Sequence, residues 1–345
     1  MGSALEVTDL VVRYPSQPNP VTAVDGISFA EEPGRVLTLL GPNGAGKTST
    51  VETLEGYRIP TSGSARVLGL DPRRDAKQLA PRIGVMLQRN GVYVTMHSRD
   101  ALRLFASYYG VRAQDPDALL ERVGLGPVAS TPWRRLSGGE QQRLSLALAI
   151  VGRPEVAFFD EPTAGVDPSA RLVVRDIIRE LRGEGVCVLL TTHDLDEAER
   201  LSDRILIIDH GKLIADGSPE QLMSGGEPAA IRFGGPASLD TSALATYMKA
   251  TVESTQPGEF TVACAPTPAN VAALTAWLAA HNHSLADLRA GRQSLEDVFL
   301  RLTRSADDAS QTRAVAPGSP RSQRRGRRNR TGGGPTGTGS GGSAS

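Results

Sequence analysis

The sequence predicts an α/β fold with a parallel-sheet core, and three observations carry that prediction. A glycine-rich turn, GPNGAGKT (Gly41–Thr48), follows the short apolar run LTLL (Leu37–Leu40) and leads into a helix starting near Lys47. Two further apolar runs, VAFFD (Val156–Asp160) and VCVLLTTH (Val186–His193), end in polar residues. Short apolar runs that stop at charged or hydroxyl side chains are how strands buried on both faces read when chemistry gathers at their carboxyl ends.

The remaining elements follow in order. EVTDLVVRY and VDGISFA, within 5–29, predict a smaller antiparallel sheet ahead of the first parallel strand. Ser98 is placed to cap a helix carrying Leu102, Leu104 and Phe105. Ser137 and Gly139, in LSGGEQQR (Leu136–Arg143), open another helix. Leu172, Val173, Ile177, Ile178 and Leu181 share one face of a helix over 169–182. ILIID, HG, KLIADG (Ile205–Gly217) predicts an antiparallel hairpin turned at His210–Gly211.

SGGEP (Ser224–Pro228) reads as a linker to a second, small α+β domain. There AAIRF, ATVEST and EFTVACA predict strands, PANVAALTAWLAAHN an amphipathic helix, and SLEDVFLRLT (Ser294–Thr303) a closing helix. From about 305 the chain is Ser, Gly, Pro, Thr and Arg with almost nothing apolar. Such a tail cannot bury enough surface to offset chain entropy and is expected to be disordered. The expected division is therefore 1–224, 225–304 and 305–345.

Composition narrows the function classes. The 345 residues balance 38 basic against 38 acidic side chains, but seven arginines and no acids lie beyond residue 308. The rest of the chain then carries 31 basic and 38 acidic residues, a net of −7. No apolar run approaches the roughly 18–20 residues that cross a bilayer. The opening MGSALEVTDL has no basic flank followed by an apolar core, so no secretory signal is expected. Cys187 and Cys264 make no disulfide framework and fit a reducing compartment, with Cys187 a small core residue.

The chemistry starts at Gly41–Thr48, where Gly41, Gly46, Lys47 and Thr48 match G-x4-G-K-[ST]. Its glycines let consecutive backbone N–H groups curl around phosphate oxygens. Lys47 brings a point charge toward the β- and γ-phosphates, and the Thr48 hydroxyl is a Mg²⁺ ligand. Asp160, ending a strand, stands where a second Mg²⁺-organising carboxylate belongs, and Glu161 is placed to polarise an attacking water. Alone, two adjacent carboxylates are often only a solvated strand end; the upstream phosphate loop changes that reading.

LSGGEQQR resembles the signature motif of ATP-binding-cassette (ABC) ATPases, and the resemblance extends in register over residues 5–222. It implies a P-loop NTPase of ABC type, with an antiparallel N-terminal subdomain and a helical subdomain carrying the signature. Tyr14 matches the aromatic that stacks on adenine in that family. Gln88, in IGVMLQ, matches the glutamine that reaches the metal and the attacking water. Asp167, in AGVDP, matches a loop that crosses the dimer interface, and His193 a histidine that contacts the γ-phosphate. Pro42, Asn43, Gly44, Ala45 and Ser49 complete the phosphate-binding set, and Ser137, Gly138, Gly139 and Glu140 the signature.

In that family the signature covers the γ-phosphate bound by the other subunit, so the resemblance implies a two-fold homodimer around two ATPs with Mg²⁺. SLEDVFLRLT resembles the extension of daunorubicin-resistance-type ATPases, energy subunits of ABC-2 exporters. This implies a separate ABC-2 membrane permease, peripheral association at the cytoplasmic face of the membrane, and a drug, antibiotic or lipid-like cargo. MHSRD (Met96–Asp100) departs from the Thr-Val-x-Glu-like start of many relatives, which leaves the permease surface open. The closing helix either packs only on its own small sheet or also stabilises the dimer or adjusts ATPase activity.

Two other classes fit the sequence less well. A soluble ABC ATPase acting on nucleic acid or ribosomes usually fuses two cassettes or inserts a long coiled coil, whereas here 88 residues separate Thr48 from Ser137 in one cassette. A non-catalytic regulatory cassette would lack Glu161 or His193. The Arg-rich tail suits anionic headgroups, nonspecific nucleic acid, or plain solvation, and without aromatics no specific nucleic-acid partner is expected.

Overall fold

Five consecutive buried residues, Val36–Leu40, form the strand around which the molecule is arranged. The computed structural model describes residues 2–16, 20–86, 92–110, 113–224, 230–291 and 294–303. The Arg-rich tail, Gln88 and all but Ser224 of the expected linker lie outside the described residues.

The chain opens with β1 (Leu5–Tyr14) and β2 (Val21–Glu31), an antiparallel pair that β4 (Ser62–Val67) joins on the other edge of β1. The central sheet comprises β3 (Val36–Leu40), β5 (Ile83–Met86), β6 (Val156–Asp160), β7 (Cys187–Thr192), β8 (Arg204–Asp209) and β9 (Lys212–Gly217). Its order is β5-β6-β7-β3-β8-β9, parallel except for β9. The β8–β9 turn is the expected one: His210 and Gly211 take φ of 46° and 77°, the two left-handed residues of a tight hairpin.

Side chains alternate across this sheet, because successive Cβ atoms of a strand point to opposite faces. Val156, Phe158, Cys187 and Leu189 join the core shared with β1 and β2. Their neighbours Ala157, Phe159, Val188 and Leu190 join the core beneath the helices. The helices up to residue 224 are α1 (Lys47–Leu54), α2 (Ala76–Leu79), α3 (Ser98–Tyr109), α4 (Pro116–Arg122), α5 (Gly138–Ile150), α6 (Pro168–Gly183), α7 (Leu195–Leu201) and α8 (Pro219–Ser224). Helices α3 to α6 and Leu201 of α7 cover this second core, whereas α1 and α2 pack in the first. Phe158 and Phe159 are both fully buried, and truncating either to alanine is worth about 3–5 kcal/mol of stability.

Helix α3 starts one residue earlier than a Ser98 cap requires. His97 is the extended N-cap residue, while Ser98 is the first helical residue and its hydroxyl donates to the Thr131 carbonyl. Ser98 is fully buried, so that partner satisfies a hydroxyl that water cannot reach.

Residues 230–291 build a four-stranded antiparallel sheet, order β11-β12-β10-β13, from β10 (Ala230–Gly234), β11 (Val252–Gln256), β12 (Glu259–Val262) and β13 (Leu288–Gly291). Helices α9 (Thr241–Met248) and α10 (Pro268–Ala280) contribute Leu244, Leu274, Trp277 and Leu278 to its separate core. The closing helix α11, over 295–303, does not join that core. Leu295 is buried with Leu40, Ala198, Ile205 and Ile207, and Phe299 and Leu302 pack alongside. The closing helix thus covers apolar side chains of the central sheet and α7.

Glu55, at the end of α1, lines a groove of about 420 Å³ with Tyr57, Leu79, Phe105, Tyr109 and Leu148. Burial pushes its carboxyl up to about 8, with Asp160 and Glu52 adding to the rise. The unfolded chain releases this proton near ~4.3, so between there and 8 the folded state holds a proton that the unfolded state has lost. Stability conferred by the protonated form is therefore lost as pH rises through that window. Glu55→Gln cannot ionise, so its unfolding free energy should gain on the wild type by about 2–4 kcal/mol between pH 5 and 8 in denaturant titrations. Parallel curves for the two proteins would contradict the assignment.

Candidate functional site

Strand order reverses at β3, which lies between β7 and β8, and a crevice opens at its carboxyl end. The loop filling that crevice is packed by backbone. A β-carbon at residue 41 would stand 2.2 Å from the Ile208 carbonyl oxygen, and one at residue 46 would stand 2.3 Å from that of Ala23. Gly46 also has φ of 109°, which only glycine adopts without strain. The loop is tied to the β8–β9 turn, since Gly211 N–H donates to the Ala45 carbonyl at 2.9 Å.

Lys47 follows as the first residue of α1. It is 7% exposed, and its Nζ donates to the carbonyl oxygens of Gly41 (2.7 Å) and Pro42 (3.0 Å). Burial lowers its pKa from the usual lysine value, and the charges of Glu161 and Asp160 pull it back up. An ammonium held this way is a fixed cation within a loop of backbone N–H groups at a helix N-terminus, the arrangement that attracts phosphate.

The opposing carboxylates arrive from β6. Burial raises the Asp160 pKa, the Thr191 hydroxyl counteracts by donating to Oδ1, and the neighbouring Glu161 raises it further. Glu161 has φ of 48°, a left-handed conformation that costs roughly 1–2 kcal/mol for a residue with a β-carbon. Its N–H bridges the Thr191 carbonyl (3.1 Å) and hydroxyl (3.2 Å). The turn leaves Glu161 Oε1 2.9 Å from His193 Nδ1 at the end of β7, and Gln142 Nε2 donates to the Glu161 carbonyl at 3.0 Å.

Lys47, Asp160 and Glu161 share a cleft of about 450 Å³ that is also lined by Tyr14, Asn43, Gly44, Gly46, Thr48 and Ser49, with Val21–Ala23. Tyr14 is fixed from two sides: its hydroxyl is 2.9 Å from Ser49 Oγ, and the Arg58 guanidinium sits 4.3 Å from the ring centroid. Asp160 and the Thr48 hydroxyl are hard oxygen donors lining the cleft, and a divalent cation would offset both the burial and the Glu161 charge that raise the Asp160 pKa.

The signature segment does not line this cleft. Ser137 caps α5 in a capping box, its Oγ accepting from Glu140 N–H (3.3 Å) while Glu140 Oε2 accepts from Ser137 N–H (2.7 Å). Asp167 caps α6, accepting from Ser169 N–H (3.0 Å) and Ala170 N–H (3.1 Å). The Ser169 hydroxyl bond, then these amides, holds its pKa below the usual carboxylate value. Asp167 and Gly139 are neighbours, since a β-carbon on Gly139 would stand 3.4 Å from Asp167 Oδ2.

Residues 24–164 match the family model described as ABC transporter. The chain is 35% identical over 308 residues to the Nod factor export ATP-binding protein I of Ralstonia nicotianae, covering 87% of this chain and 93% of that protein. It is 38% identical over 289 residues to the protein of the same name from Paraburkholderia xenovorans, covering 82% and 92%.

The chain belongs to the ABC transporter family. The solved ATP-binding subunit of an ABC transporter superposes with a TM-score of 0.57 at 26% identity, over 64% of this chain and 92% of that one. The chain is thus an ABC ATPase with a parallel-sheet cassette core, and it works with ATP and Mg²⁺.

Three residues of this candidate site escaped the sequence reading. Thr191 and Gln142 lie within quoted motifs, but their contacts with Asp160 and Glu161 span 31 and 19 positions, and no local pattern shows them. Arg58 had no signal either, because its partner ring is on β1. A cation over an aromatic face is worth about 0.5–2 kcal/mol. With Tyr14 as the candidate adenine-stacking residue, Arg58→Ala should therefore weaken ATP binding about three- to tenfold in titration calorimetry, by loosening the ring. An unchanged Kd would mean that the Ser49 contact alone fixes the ring.

Proposed function

We propose that this chain is the ATP-hydrolysing subunit of an ABC-2-type exporter of the daunorubicin-resistance kind, acting as a homodimer beneath a separate membrane permease. The carrying observation is the split of the site: the phosphate loop, Asp160 and Glu161 share one cleft, with His193 hydrogen-bonded to Glu161, while Ser137–Glu140 and Asp167 sit together outside it. Ser137, Gly138 and Gly139 present a helix N-terminus that the chain's own cleft does not use, and a second copy's ATP fits its polarity.

In this reading Gly41–Ser49 bind the phosphates, Lys47 balances their charge, and Tyr14 stacks on adenine. Thr48, Asp160 and Gln88 hold Mg²⁺, which when bound offsets charge on the phosphate oxygens. The Glu161 carboxylate takes the proton of the attacking water, and His193, hydrogen-bonded to it, is placed to contact the γ-phosphate. Gln88 also reaches the attacking water. Catalysis is then mainly positioning and charge stabilisation, completed when two copies close.

Residues 1–224 form the cassette, 225–304 the small domain and 305–345 the tail. Among the described residues no helix is long and apolar enough to cross a membrane, so membrane association at the cytoplasmic face comes through the permease. The groove lined by Glu55, Tyr57, Phe105 and Tyr109, with Tyr57 exposed and the exposed Tyr108 ring against Phe105, supports such a partner. The cargo is a drug, antibiotic or lipid-like compound, and the relatives named for Nod factor export support the export direction.

The test uses tagged Glu161→Gln protein. It should bind ATP, lose turnover at least 100-fold, persist as a dimer with ATP, and capture a polytopic membrane protein from detergent-solubilised native membranes. Normal turnover would overturn the role of Glu161, and recovery of ribosomes or nucleic acid without a membrane protein would overturn the exporter reading.

A further inference from the structure

Helix α7 begins two residues after His193, and a buried anion anchors it. Glu197 is 1% exposed. Its Oε2 accepts from the Thr163 hydroxyl and its Oε1 lies 3.3 Å from Arg175 Nε. Thr163 is two residues past Glu161, in the loop that runs on to Asp167. One carboxylate therefore joins the segment that carries Glu161 to the segment that carries His193.

The neighbouring turn repeats the link. Asp194 caps α7, accepting from Glu197 N–H at 3.2 Å, and its other oxygen is 3.2 Å from Arg171 Nη1. Arg171 and Arg175 stand one turn apart on α6, facing Asp194 and Glu197 one turn apart on α7. Arg171 Nε also donates to the Val166 carbonyl at 3.2 Å. The other side of α7 is covered by α11: Ala198 and Leu295 share a core, with Leu195, Phe299 and Leu302 against it. Helix α11 is itself tied to the small sheet, since Asp297 pairs with Arg232 of β10.

None of these side chains lines the nucleotide cleft. Their shared product is the placement of α7, and so of His193, relative to Glu161. The 2.9 Å contact between those two side chains joins neighbouring strand ends whose following loops need a common anchor. A buried carboxylate with two fixed partners supplies it, because leaving either partner unpaired in the interior is costly.

We propose that Glu197 is a positioning residue for ATP hydrolysis: through Thr163 and Arg175 it sets the register between Glu161 and His193, with α11 bracing the opposite face of α7. This rests on Glu161 and His193 forming the hydrolytic pair. It makes the small domain a brace for the ATPase site and gives the closing helix a role in turnover within its own chain.

The experiment compares Glu197→Gln, Thr163→Val, their double variant, Thr163→Ser and Glu161→Gln in one steady-state ATPase series, with nucleotide Kd measured alongside. Thr163→Val keeps the volume, so it remains informative if Glu197→Gln fails to fold. Each single variant should lower kcat about tenfold while leaving KM and Kd within twofold. The double variant should be no worse than the poorer single one, as expected for two residues acting as a unit, and Thr163→Ser, which keeps the hydroxyl, should recover most of the turnover. Wild-type kcat in both singles, or fully additive losses, would overturn the proposal. A loss of kcat accompanied by an equal loss of ATP affinity would overturn it as well. If Glu161→Gln itself turns over normally, the underlying site assignment fails; if it is inactive while the other variants are normal, only the positioning role fails.

Discussion

The structure depends on balancing one buried cation against two carboxylates at the carboxyl end of a parallel sheet. Lys47 is drawn out of water by the loop that carries it, which depresses its pKa, and Asp160 and Glu161 restore part of what burial removes. Asp160 meets the opposite problem, with burial and a like-charged neighbour both raising its pKa. Neither side could be buried alone without a large penalty. Together they leave a cleft with a fixed cation at the loop and acidic oxygens opposite, a charge pattern that a nucleotide with its metal completes.

That balance explains why the surrounding geometry is strict. The loop can hold the ammonium near its own carbonyls only because residues 41 and 46 lack β-carbons and pack directly on β8 and β2. Glu161 accepts a left-handed backbone because Thr191 takes its N–H twice. The hairpin turn at His210–Gly211 bonds the same loop from the far side. Backbone strain and close packing collect at the carboxyl end of the parallel sheet, as they do where a site is held ready before its ligand arrives.

Legibility followed how local each signal was. Strands β3, β6 and β7 read clearly because burial on both faces makes them apolar throughout, and Lys47, Thr48, Asp160 and Glu161 follow them directly in sequence. Helix α9 and strand β13 were missed. Of α9's residues only Leu244 is buried, and β13 is four residues long, too little for a periodic signal; the Asp240 cap was the available clue. Thr191, Arg58 and the Glu197 anchor act through contacts between distant segments, which periodicity cannot show. The destination of α11 was equally hidden, since an amphipathic helix does not state which apolar surface it covers.

The central claim is that each catalytic cleft is finished by a second copy. The most direct measurement is thiol cross-linking between two populations on a Cys264→Ser background, one carrying Ser49→Cys and the other Ser137→Cys. Cys187 stays silent because burial lifts its thiol to about 12. A short bifunctional thiol reagent should give a covalent dimer of the two populations with ATP, and none when Lys47→Ala removes nucleotide binding. Bound ATP without any such product would contradict the account.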